Sequence, residues 1–174
     1  MADIQTQAQT QEKDKQKINQ YLSFVLAEEQ YAVNVLYVWK VLEYTQITKI
    51  PNTPDHMRGV INLHGSVVPI MDLRMKFGMP QAEQTIDTSI IAMEIEIEGE
   101  KMPVGVLADS VKEVIDINDD NIEPPPKIGT SVSNEFIQGI GKKDEEFIII
   151  LNVEKVFSLD EINVPTEQVD SEEE

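Results

Sequence analysis

Two histidines, His56 and His64, are the only imidazoles in a chain of 174 residues, and cysteine is absent. That removes thiol nucleophiles, disulfides and thiolate metal sites, and leaves little material for a histidine site. His64 and Asp72 stand eight residues apart. A small hydrolase built on that pair needs a nucleophile within hydrogen-bond reach of the imidazole, and no serine sits in a nucleophile elbow. A surface or satisfied histidine fits the residues better. Glu94, Glu96 and Glu98 offer acids on one face of an extended segment, but lack the glycine-centred loop and bidentate ligand of a calcium site. Gly139-Ile140-Gly141 lacks the third glycine and following helix of a dinucleotide fingerprint, and reads as a turn. No catalytic constellation assembles. The chain is read as a non-enzyme, with no cofactor and no metal.

The elements that position these residues follow from the hydrophobic pattern. Ile91, Met93, Ile95 and Ile97 alternate with Glu94, Glu96 and Glu98, the period of a half-buried strand. Glu98-Gly99-Glu100 turns, and Met102, Val104 and Val106 continue the alternation backwards. Tyr21–Leu26 and Gln30–Val35 read as a strand pair around Glu28-Glu29. Phe147–Leu151 is a continuous apolar run, which suits a strand buried on both faces. Leu36–Glu43 fits either one or two helical turns or a strand. Pro69 falls inside an apolar run, which assigns that strand to an edge or a bulge. Asn118-Asp119-Asp120 begins a helical turn, and Pro124-Pro125-Pro126 is an extended connector.

Asp72 and Asn152 are placed as N-caps of two short helices, each closed by a phenylalanine, Phe77 and Phe157. Ile70–Phe77 thus parallels Ile150–Phe157. Gly59 and Gly65 precede the first copy, and Gly139 and Gly141 the second. This internal parallel predicts two similar small β units of about five strands each, the second helix returning to close the fold.

The net charge is −18, so nucleic acid and anionic lipid surfaces are poor partners. No apolar run reaches the roughly 18 residues of a membrane span, and the N-terminus has no apolar signal core. Residues 36–82 hold five bases and three acids, whereas residues 83–123 hold two bases and twelve acids. Two faces of different sign suit two different partners. Residues 1–18 and the acidic 161–174 are expected as disordered tails around a single domain at 19–160.

One stretch carries a specific signature. Arg58-Gly59, Asn62-Leu63, Gly65, Pro69, Asp72-Leu73-Arg74 and Phe77 follow the order (K/R)GxxNLRGxxxPxxDLRxxF. In that order the chain resembles the CheW family of bacterial chemotaxis coupling proteins. The resemblance runs over about residues 20–160, through Ile50-Pro51-Asn52-Thr53-Pro54, Val106–Val114, the proline connector, Gly139-Ile140-Gly141 and Ile149-Ile150-Leu151-Asn152. It implies an all-β fold of two five-stranded SH3-like barrels around a shared core, with a few short helices. It implies no catalysis. It implies an adaptor that binds the regulatory domain of the histidine kinase CheA and the cytoplasmic tip of methyl-accepting chemoreceptors, and other copies in array rings. Its place would be the cytoplasm, at membrane-associated arrays, without insertion. A related adaptor serving another receptor–kinase pathway, in surface motility or second-messenger signalling, is the alternative.

By position, the resemblance places Val38, Trp39, Lys40, Asn62, His64, Val67 and Gly105 at a receptor-facing groove. It places Glu123 and Ile128 at kinase contacts, and has Arg58 and Gly59 support the kinase contact or the packing between the barrels. Trp39 reads equally as a groove residue or a core anchor. Two positions depart from the family: an acid usually stands where Lys40 is, and an arginine where His64 is. The usual pair can join across the groove; here both residues are basic.

Overall fold

The computed structural model describes residues 18–125 and 134–157. The expected tails, apart from Ile18, and the kinase candidate Ile128 lie outside them.

Eleven strands and two short helices make up this part of the chain. They are β1 (Ile18–Leu26), β2 (Glu29–Asn34), β3 (Val38–Glu43), β4 (Met57–Leu63), β5 (Ser66–Asp72), α1 (Leu73–Lys76), β6 (Ser89–Ile97), β7 (Glu100–Ala108), β8 (Ser110–Asn118), β9 (Ile122–Glu123), β10 (Ile137–Lys143), β11 (Glu146–Leu151) and α2 (Val153–Val156). Sheet 1 runs β8-β1-β2-β11-β10-β9, and sheet 2 runs β3-β6-β7-β5-β4.

The two orders are equivalent position by position. Each sheet has one parallel pair, β2 with β11 and β5 with β7. Each also exchanges a strand with the other. After β2 the chain leaves sheet 1 and enters sheet 2 as β3, and after β7 it leaves sheet 2 and enters sheet 1 as β8. The sixth strand of sheet 1, the two-residue β9, has its counterpart in an isolated bridge between Thr48 and Val60.

The internal parallel predicted from sequence is therefore real and longer than the eight residues that revealed it. Gly139 lies 80 residues after Gly59, and Asn152 lies 80 after Asp72. The Asp72 amide donates to the His56 carbonyl at 2.7 Å, and the Asn152 amide donates to the Phe136 carbonyl at 2.8 Å, again 80 residues on. One correction follows. The counterpart of Gly65 is Glu145, not Gly141, because His64-Gly65 and Asp144-Glu145 are the matching hairpin turns. Both turns, like Ala27-Glu28 and Glu98-Gly99, hold positive φ at both central residues. That is the type I′ geometry whose twist suits a two-residue hairpin.

Strand exchange puts one core between the sheets and one inside each. Leu22, Phe24 and Tyr31 of sheet 1 pack with Met71, Ile91 and Ile95 of sheet 2, and Phe77 and Phe157 join them. Ile90, Ala92, Ile70 and Leu107 fill sheet 2. Tyr21, Ala32, Ile115 and Ile150 fill sheet 1. The period of two sorts residues between these cores: Ile90 points into its own barrel and Ile91 into the shared layer.

Several expectations change. Leu36–Glu43 is composite, a 3-10 turn at Val35–Tyr37 followed by β3. Pro69 does not mark an edge, since β5 lies between β4 and β7. Pairing with β7 begins only at Ile70, so the missing N–H of Pro69 costs that ladder nothing. In β11 Ile148, Ile150 and Leu151 are buried and Ile149 is partly buried, but Phe147, beside the turn, is 66% exposed. Asp72 caps α1 by accepting from the amides of Arg74 and Met75 at 3.0 and 3.4 Å, and Asn152 caps α2 by accepting from Lys155 at 3.3 Å.

Candidate functional site

β3 and β4 are the first and last strands of sheet 2, yet Lys40 Nζ of β3 lies 3.4 Å from His64 Nε2 of the β4–β5 turn. The sheet therefore curls until its ends meet, as a small barrel does. An ammonium has donors only, so in a hydrogen bond between these two atoms Nε2 is the acceptor. The indole of Trp39 stands 6.2 Å from the imidazole, centroid to centroid, at 53°. A bulge aims it: Val38 pairs with Met93 and Lys40 with Ala92, which leaves Trp39 as the extra residue. Trp39 is 40% exposed, which settles it as a surface residue rather than a core anchor.

Asn62 and Val67 are cross-strand partners on the same hairpin, and the Asn62 side chain accepts from the Gly65 amide at 2.9 Å, bracing the turn that holds His64. Six of the seven receptor-facing candidates thus belong to β3 or the β4–β5 hairpin. Gly105 is different. It is a buried residue of β7 between Ile70 and Ala92, and a Cβ there would stand 2.6 Å from Ile70 Cδ1. Its part is to let strands and side chains pack, not to touch a ligand.

Beyond Trp39 lies an open cleft of about 540 Å³, which sequence reasoning missed. Leu36, Val38 and Trp39 form its apolar side, and Leu36 is 85% exposed. Glu94, Glu96 and Glu154 wall it, with Lys101 as the one base among the described residues that line it. The Tyr37 hydroxyl donates to Glu154 Oε1 at 3.3 Å. Burial, then the Glu154 charge, pushes its pKa up. The cleft draws on β3, β6, β7 and α2, and no short window of sequence shows those segments together.

The kinase candidates do not form one patch. Arg58 pairs with the buried carboxylate of Asp72 at 3.2 Å. Gly59 has φ +141°, and a Cβ there would lie 2.1 Å from the Thr48 carbonyl oxygen. Glu123 is exposed on β9, paired with Ile140 in the other sheet. Ile128 is outside the described residues.

The hydrolase reading fails on geometry. His64 and Asp72 lie at opposite ends of β5, which at seven residues spans roughly 20 Å. Asp72 is committed to Arg58 and the α1 cap. A second pair, Arg74 with Asp109 at 3.4 Å, sits beside it. Asp109 also accepts from the Ala27 amide at 2.9 Å, so this pair ties the α1 end of sheet 2 to the first hairpin of sheet 1. Among the described residues, no group of three or more His, Asp or Glu side chains could hold a metal ion, and no helix is long and apolar enough to cross a membrane.

Comparison with known proteins agrees with this architecture. The CheW-like domain model matches residues 20–161. The chemotaxis protein CheW of Klebsiella aerogenes is 34% identical over 143 residues, covering 82% of this chain and 84% of its own. That of Helicobacter pylori is 30% identical, covering 88% and 90%. The crystal structure of the scaffolding protein TtCheW from Thermoanaerobacter tengcongensis superposes with a TM-score of 0.73 at 38% identity, covering 82% of this chain and 90% of that one. Proteins of this family are adaptors, not enzymes, and couple chemoreceptors to the kinase CheA. On sequence and on fold alike, the chain belongs to the CheW-like family of chemotaxis scaffold proteins.

Proposed function

We propose that residues 19–160 act as one adaptor unit that holds the regulatory domain of CheA on one surface and the cytoplasmic tip of a methyl-accepting chemoreceptor on another. It would do so from the cytoplasmic side of membrane-associated arrays, beside other copies of itself. The observation that carries the receptor half is the meeting of β3 with the β4–β5 turn. Trp39, Lys40 and His64 form an exposed aromatic and basic rim, with Val38, Asn62 and Val67 on the same two elements. A rigid aromatic at such a rim is the residue type that dominates binding energy. Arg58, Glu123 and Ile128 are assigned to the kinase, with Gly59 supporting the backbone beneath Arg58.

Isothermal titration against the CheA regulatory domain tests the kinase half. Binding at micromolar or tighter Kd, weakened about tenfold by Glu123→Lys or Ile128→Asp, supports it. No binding at high concentration removes it.

The basic pair also defines a specificity. With Lys40 and His64 in contact, a receptor carrying an acid at the facing position is favoured over one carrying a base. If the double variant Lys40→Glu with His64→Arg binds the native receptor tip at least as well as the wild type, that specificity is wrong. The same departure favours one second reading, an adaptor for a different receptor–kinase pair. Co-purification with a kinase other than CheA would select it.

A further inference from the structure

We infer that residues 164–174 of this chain dock on its own Lys40–His64 rim and mask it, so that a receptor must displace them to bind. The masking rests on the receptor reading; the contact itself rests on charge and geometry. Lys40 Nζ and His64 Nε2 stand 3.4 Å apart, and both residues are exposed. Among the described residues neither is paired with a carboxylate. An ammonium has three donors and His64 takes one, so a carboxylate at the rim meets unspent donors as well as opposite charge.

The sequence after Phe157 supplies carboxylates and nothing to oppose them: Asp160, Glu161, Glu167, Asp170, Glu172, Glu173 and Glu174, with no base. It also starts close to the rim. Glu154 of α2, three residues before Phe157, lines the same cleft as Trp39 and accepts from the Tyr37 hydroxyl at 3.3 Å. The ten residues from Phe157 to Glu167 reach up to about 33 Å when extended, several times the width of a cleft of about 540 Å³. Tethering holds the acids at an effective concentration on the order of millimolar, so even a weak contact is populated. Charge decides equally where the segment does not lie. Glu94, Glu96 and Glu154 wall the cleft and repel it. Arg58 and Arg74 are already paired, with Asp72 and Asp109. The turn of sheet 1 that matches His64-Gly65 is Asp144-Glu145, which is acidic too. A receptor acid facing Lys40 and His64 would compete with Glu167, Asp170 and their neighbours for the same two basic groups.

The chain has one tryptophan, Trp39, and no cysteine, and the Trp39 ring lies 6.2 Å from the His64 ring. Ser171→Cys carrying a fluorescent acceptor of indole emission therefore reports, by energy transfer in the full chain, how near the segment comes to the rim. Transfer is expected to be high at low salt and to fall at least about twofold as salt rises to about 1 M. Lys40→Gln with His64→Gln should lower it by a similar factor at low salt. Lys142→Gln with Lys143→Gln, a larger loss of positive charge on sheet 1, should leave it unchanged. Transfer that ignores the rim variant, or responds equally to the sheet 1 control, overturns the proposal. So does a fall in transfer when unlabelled chain is added in excess, which would place the contact between copies. A receptor-tip fragment reads the masking. Glu167→Gln, Asp170→Asn, Glu172→Gln, Glu173→Gln and Glu174→Gln together should tighten its binding at least about threefold, and should change nothing in the Lys40→Gln, His64→Gln background. If the fragment binds the wild type and this amide variant equally, the masking is wrong and the receptor reading stands. If the fragment binds neither while transfer keeps the expected pattern, the docked segment stands and the receptor reading falls.

Discussion

Sheet 1 and sheet 2 share one strand order, yet they present different chemistry where their barrels close. In sheet 2 the turn is His64-Gly65, and it meets Lys40 and Trp39. In sheet 1 the matching turn is Asp144-Glu145, and beside it Glu146 accepts from Gln30. What the two halves keep in common is what the backbone requires: four type I′ turns, a polar cap before each short helix, and a glycine at the register shift of the β4–β5 pair and again of the β10–β11 pair. What differs is what solvent and partners see. In a repeated framework, the shared positions report folding and the unshared exposed ones report binding.

The largest expected effect is at the paired glycines. Gly59→Ala puts a Cβ into the Thr48 backbone at a positive φ, and neither can yield cheaply. It should cost about 3 kcal/mol or more in denaturant titration, or abolish folding. Gly139→Ala meets the flexible Ile122 side chain first, at 2.4 Å, and its φ is not positive, so about 1–2 kcal/mol is expected. Equal costs would break the comparison.

The two caps come next. Asp72→Ala removes the α1 cap and strands Arg58, at about 2–3 kcal/mol. Asn152→Ala removes a cap alone, at about 1 kcal/mol. Urea midpoints of the two variants measure the difference.

Alkaline stability sharpens it further. Burial raises the pKa of Tyr21, Tyr31 and Tyr37 in the folded chain, with nearby acids adding to it, above the unfolded value of 10.0. The folded state then holds protons that the unfolded state releases. Stability is full below pH 10.0 and falls as pH rises above it toward the folded values. The largest shift is at Tyr31, stacked between Phe24 and Phe77 at 6.0 and 6.3 Å. Tyr31→Phe should flatten the alkaline limb of a stability–pH curve more than Tyr37→Phe does.

The smallest effect on stability is at the exposed aromatics. Trp39→Ala and Phe147→Ala should each change stability by no more than about 1 kcal/mol. Only Trp39→Ala should weaken receptor-tip binding, by about tenfold or more.

Sequence periodicity read β6, β7 and both capped helices directly, because each is governed by near neighbours: alternating isoleucine and glutamate, or an Asp or Asn before its own helix. Leu36–Glu43 escaped it because a 3-10 turn and a bulge at Trp39 interrupt both periods within eight residues. Strand exchange was invisible for a different reason: the partner of β3 is β6, some fifty residues away. The family resemblance placed Lys40 and His64 at one groove by position, and they lie 3.4 Å apart. It also brought in Gly105, whose burial no motif reports. The acidic cleft escaped notice because Glu94 and Glu96 read as a solvated face until Leu36 and Glu154 are seen beside them.

The most direct test of the coupling role is reconstitution. CheA autophosphorylation is measured with a receptor signalling fragment, with and without this chain, and with the Trp39→Ala and Glu123→Lys variants. Receptor control of the kinase should require the wild-type chain and be lost with either variant, while CheA alone is unaffected. A kinase rate that responds to the receptor equally well without the chain would contradict the account.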